Sequence, residues 1–159
     1  MKGLVIGAGA LLVLGGCAGG PGGGINRMQL RVSMTGIQEV PGPGDPDGNG
    51  TAEIRVTARD GQVCWNVYVR DIGAATAAHI HRGAAGVAGP PVVTVATPDA
   101  NGRSQGCAAV DPMQARDMAM RGHEYYLNIH SAAHPAGAIR GQLRPDGPMR
   151  GGMRQGPNG

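Results

Sequence analysis

The chain has 159 residues, among them 30 Gly and 12 Pro but no Phe, and a formal net charge of +3. That length holds one loop-rich domain with a modest core. Its charges are scattered rather than gathered into a basic patch interleaved with aromatic side chains, so the positive balance does not indicate a nucleic-acid partner.

The first seventeen residues read MKGLVIGAGALLVLGGC. Lys2 supplies a short positive region, and the apolar run from Leu4 to Leu14 is 11 residues long. A bilayer core takes about 20, so residues 1–16 read as a signal peptide. Leu14-Gly15-Gly16-Cys17 resembles the lipobox of bacterial lipoproteins. The resemblance implies lipidation of the Cys17 thiol, cleavage before it and acylation of the new amine. Ala18, rather than Asp, after the lipidated residue favours the outer membrane. Residues 17–24 then form a flexible Gly-rich tether. The expected protein is anchored to a membrane by its lipid, facing the periplasm or the cell surface.

Residues 25–143 carry period-two alternation, the signature of half-buried strands. Met28, Leu30, Val32 and Met34 share one face of a first strand. Ala52, Ile54, Val56 and Ala58 repeat the pattern in a second, Thr51–Ala58. The Pro/Gly/Asp segment between them, 40–50, is turn chemistry. Asp45, Asp47 and Asn49 have the start of a calcium loop, but Arg55 occupies the position of its closing acid, so an exposed turn is the plainer reading. Asp60-Gly61 marks a hairpin leading into Gln62–Val69. Strands are further expected at Thr76–His81, Pro91–Ala96, Ser104–Val110, Glu124–His130 and Ala138–Leu143, with a turn at Asn101-Gly102.

One short helix fits between Asp111 as N-cap, Pro112 at its first position and Gly122 after its end. Its Met113, Met118 and Met120 are expected to pack inward as flexible apolar side chains. Copper(I) binding by Met118 and Met120 with His123 is the less economical alternative. The whole reads as all-β, an antiparallel β-sandwich or Greek-key barrel with one short helix. Residues 144–159 are Gly/Pro/Arg-rich without apolar periodicity and read as a disordered tail.

With Cys17 used by lipid, Cys64 and Cys107 are an even pair in an oxidising compartment, and a disulfide between them is the default. Closing a loop across 43 positions would contribute about 3–4 kcal/mol on the chain-entropy model.

Three stretches taken together resemble the CHRD domain, named after chordin. They are VCWNV (63–67), AHIHRGAAGVAGPPVVTV (78–95) and YYLNIHSAAHPAGAIRGQL (125–143). They fall in the family's order and span nearly the whole mature domain. Ala138 stands where the family often has Glu. The resemblance implies an all-β extracellular domain, whose molecular activity is poorly defined.

The histidines within these stretches admit two readings. His79 and His81, two apart on a strand, point to the same side. His130 shares a face with Asn128 and Tyr126, and His134 follows in the next turn. If the strands are neighbours, His79, His81 and His130 converge, with His134 at the rim, as candidate ligands for copper or zinc. An analogy of fold to copper–zinc superoxide dismutase extends this reading to dismutase-like redox chemistry. In the other reading the histidines are structural, each satisfying buried backbone groups and pinning the glycine-rich turn, with Asn128 and Arg140 as further structural polar groups. No catalytic residue is assigned: Ser33, Ser104 and Ser131 lack a nucleophile setting, and paired carboxylates are hard to find. The expected function is a non-catalytic binding or structural module of the cell envelope, with an envelope protein or polymer as partner. A copper- or zinc-binding periplasmic protein is the alternative.

Overall fold

The computed structural model describes residues 26–147. The expected signal peptide, Cys17 with its tether, and the tail beyond 147 lie outside the described residues. The strands are β1 Arg27–Thr35, β2 Asn49–Thr57, β3 Gln62–Arg70, β4 Ala75–Arg82, β5 Pro91–Val95, β6 Arg103–Ala109, β7 Tyr125–Ser131, β8 Ile139–Gln142 and β9 Arg144–Pro145. Among the described residues one α-helix, α1, spans Pro112–Met120. All the pairings are antiparallel, in one sheet of order β5-β4-β7-β8-β1-β2-β3-β6, with β9 beside β1. The sheet curls until its edge strands β5 and β6 touch, so the expected all-β fold takes the form of a nearly closed barrel.

Alternation explains the interior. Leu30, Val32 and Met34 from β1, Ile54 and Val56 from β2, and Val63, Trp65 and Val67 from β3 all turn inward and are buried. The largest of these, Trp65, donates its indole N–H to Ser104 Oγ at 3.1 Å, and Ser104 in turn donates to the Ala96 carbonyl. One hydroxyl therefore satisfies a buried donor and helps close the seam between the edges. The strand opposite makes room: a Cβ on Gly106 would lie 2.7 Å from the Trp65 ring.

Helix α1 sits under β1, β2 and β3. The Asp111 side chain accepts from the Met113 and Gln114 N–H groups, as expected of an N-cap, and Pro112 opens the helix. The helix buries Ala115, Met118 and Ala119. Met113 and Met120 face outward, contrary to expectation, because a nine-residue helix presents only one narrow stripe to the barrel. Gly122 follows the helix as expected, yet without a left-handed backbone; it is small because a Cβ there would press on Leu30 and the Leu143 carbonyl.

Two boundaries differ from expectation. The β2–β3 connection is a four-residue turn, 58–61, in which Gly61 adopts φ +58°. Order also continues past Leu143: Arg144 and Pro145 pair with Arg31 and Leu30, and Asp146 forms an ion pair with Arg31 at 2.6 Å. The tail expected to be disordered from Arg144 thus begins as a strand, because β1 offers backbone partners beyond the end of β8.

Cys64 and Cys107 face each other across β3 and β6 and are joined by a disulfide. Asp45 Oδ1 accepts from the Asp47 and Gly48 N–H groups, in keeping with the plain-turn reading of that segment.

Candidate metal centre and its buried polar surround

β7 and β8 are buried on both faces. Inward go Leu127, Ile129 and Ile139; outward go Tyr126, Asn128, Arg140 and Gln142, and these too are buried, under the segments 36–48 and 83–89. The polar half of the alternation therefore builds a second, polar interior on the outside of the barrel.

Register places the histidines in it. His79 pairs with Asn128, His81 with Tyr126 and Ala77 with His130 across β4 and β7. His79, His81 and His130 thus project from one face. Their ring centroids are 5.7 Å apart for His79 and His81, 5.5 Å for His79 and His130, and 6.5 Å for His81 and His130. One nitrogen from each ring lies within 4.8 Å of the others, and all three residues are half-buried. Tetrahedral metal–nitrogen bonds of about 2.0–2.1 Å put ligand nitrogens roughly 3.4 Å apart, so a metal would draw the rings inward by about an ångström.

Hydrogen bonding fixes the orientation and tautomer of two of the rings. His81 Nδ1 lies 2.8 Å from the Gly89 carbonyl and His130 Nδ1 lies 3.0 Å from the Pro135 carbonyl. A carbonyl only accepts, so each Nδ1 carries the proton in the neutral ring and each Nε2 presents a lone pair. This backbone tether of the non-ligating nitrogen is the usual outer support of metal-binding histidine. The His81 Nε2 is buried and has no partner. Burial, and then the neighbouring His130, lowers the His79 pKa. Burial is also the main cause lowering that of His81, helped by His79, His130 and Arg140 and opposed by the Gly89 bond. Both rings are therefore neutral near pH 7, the form that binds metal.

His134 is not brought into this group. Its Nε2 lies 3.6 Å from Asp45 Oδ2, because the chain turns after β7 and its backbone closes on Ser131. The remaining expected polar groups, Arg140 and Asn128, are buried and bond within the fold. Arg140 donates from Nη2 to the Ala84 and Val87 carbonyls, both at 2.9 Å, and its guanidinium lies 3.4 Å from the centre of the Tyr126 ring. Asn128 donates to Glu39 Oε2 at 2.9 Å.

The glycine-rich turn after His81 is consequently held by four side chains. Arg140 and His81 act as above, Gln142 Nε2 donates to the Gly83 carbonyl, and the Gly89 N–H donates to the Tyr126 hydroxyl. Gly89 permits this closeness, since a Cβ there would overlap the Arg82 carbonyl. Of these residues, Tyr126, Gln142 and Glu39 were not singled out from the sequence. Glu39 approaches Asn128 across 89 positions through an irregular loop, a contact no periodicity announces.

A family model described as the CHRD domain matches residues 30–143. No curated protein and no solved structure matches the chain. With most of its length, the barrel and the polar surround included, covered by that match, the chain belongs to the CHRD domain family.

Proposed function

We propose that this protein is a lipid-anchored binding module of the bacterial cell envelope, and that it holds one copper or zinc ion on His79, His81 and His130. The observation that carries the metal reading is the convergence of three imidazole nitrogens, two of them oriented by backbone carbonyls and one a buried lone pair without a partner. Three imidazoles leave a fourth coordination position open for water or a partner's side chain. The anchor is supported by the lipobox resemblance ending at Cys17, and the disulfide accords with an oxidising compartment.

Metal content settles the centre. Mature protein equilibrated with zinc or copper(II) and desalted is expected to retain about one ion per chain by mass spectrometry. His79→Ala together with His130→Ala should lower affinity by at least about tenfold to a hundredfold, while His134→Ala leaves it unchanged. Equal retention by the double variant would overturn the assignment. Binding needs neutral rings, and the lowered pKa values of His79 and His81 extend binding to more acidic pH than free imidazole allows. The structural reading also has a specific observation behind it, the His81–Gly89 bond. His81→Ala is accordingly expected to lower the melting temperature of the metal-free protein, corresponding to about 1 kcal/mol. The anchor is tested by Cys17→Ser, which should move the protein from the membrane to the soluble fraction.

A further inference from the structure

Among the described residues, four buried side-chain atoms have no hydrogen-bond partner: Glu39 Oε1, His81 Nε2, Asn128 Oδ1 and Arg140 Nη1. All four lie in the polar surround. The histidine lone pair is absorbed by the metal reading; the Arg140 and Glu39 atoms are not. Arg140 is 1% exposed and Glu39 4% exposed. Both line a cavity of about 210 Å³, with Gln142, the neighbours of Glu39 from Ile37 to Val40, and Ala85 and Gly86.

Glu39 is the acidic neighbour that Arg140 feels there, but the two form no ion pair. Among the described residues no carboxylate lies within ion-pair distance of the Arg140 guanidinium. Two backbone carbonyls and the Tyr126 ring are its partners, and they occupy Nη2 and the guanidinium face. A buried cation with a free N–H favours an anion beside it.

We propose that this cavity is a binding site for a small carboxylate anion, with Arg140 Nη1 and Glu39 Oε1 as its two hydrogen-bonding groups. One carboxylate oxygen accepts from Arg140 Nη1, and the other accepts the proton of a neutral Glu39 carboxyl. That proton is present on the acid side of pH 7: burial pushes the Glu39 pKa up to about 7, against the opposing pull of Arg140, Asn128 and the Val40 N–H. The groups facing Glu39 are therefore Arg140 from β8 and Asn128 from β7, with the Gly44 and Gly137 backbone packed against its side chain. His81, the other titratable group close to Arg140, has its pKa lowered chiefly by burial. A monoanion matches the single guanidinium, whereas a phosphate dianion would bring a second charge with no second cation to meet it. The site does not depend on the histidines holding metal.

The test uses chelator-treated mature protein, with acetate as the probe and chloride and phosphate at matched ionic strength as controls. Amide NMR signals of Ala85 and Gly86 are expected to shift saturably with acetate, with a Kd of about 1–10 mM. Binding should weaken about tenfold between one pH unit below and one above the Glu39 value of about 7, as the shared proton is lost. Arg140→Gln should abolish it. Because that change also releases the glycine-rich turn, Glu39→Gln is the second variant: its amide still donates, so acetate binding persists but no longer varies with pH. Shifts that chloride reproduces, no saturation, or an unchanged pH dependence in Glu39→Gln would each overturn the proposal, whatever the metal content.

Discussion

At the scale of single residues, the outer polar interior is where this fold departs from ordinary barrel economy. Glu39 shows the cost. Its pKa is raised from 4.5 to about 7, chiefly by burial, so the folded state prefers the neutral acid. The resulting contribution is fully present below pH 4.5 and is lost as pH rises through about 7. A shift of that size corresponds to about 3 kcal/mol. Glu39→Gln, which keeps an acceptor for Asn128, is therefore expected to raise stability at pH 8 by up to about that amount and to flatten the dependence between pH 4.5 and 7. Urea unfolding in carboxylate-free buffer across that range checks it; a parallel pH profile in the variant would refute it. The legibility of the site follows the same division. His79 and His81 were readable as a same-face pair because strand periodicity fixes direction, and His130 joined them because neighbouring strands share a register. His134 was not placed by any period, and the turn after β7 carries it to Asp45.

At the scale of elements, the strands were legible because each needs one apolar face, and the pattern counts that face directly. The alternation of β7 and β8 gives the direction of their polar face but not its cover, and segments from elsewhere in the chain bury it. Nothing local announces such a cover. The helix is the converse case, with clear ends and a face too narrow to read. Its two-point cap, from Asp111 Oδ1 to the N–H groups of Met113 and Gln114, is exposed and local. Asp111→Ala is therefore expected to cost about 1 kcal/mol, and Asp111→Asn much less, by thermal unfolding. Equal losses in the two variants would mean that charge at the helix start, rather than the cap geometry, provides the stabilisation.

At the scale of the whole molecule, stability depends on holding a curled sheet closed around a core without Phe. The closing edges β5 and β6 meet through packing and the Ser104–Ala96 bond, rather than through a continuous backbone ladder. β6 is therefore paired on one side alone, with β3, and the Cys64–Cys107 bond lies across that pairing. The disulfide encloses the stretch that contains β4, β5 and the glycine-rich turn, so reduction frees a long loop in the unfolded chain. With a sequence separation of 43, the chain-entropy model gives about 4 kcal/mol. Unreduced, denatured protein should show no free thiol at Cys64 or Cys107. Replacing both by Ser should lower the melting temperature by about 12–16 °C, at roughly 4 °C per kcal/mol for a domain of this size. A drop under about 4 °C would mean that the β3–β6 ladder and the Trp65–Ser104 bond already hold the edge, and that the covalent link adds little to a barrel closed by packing.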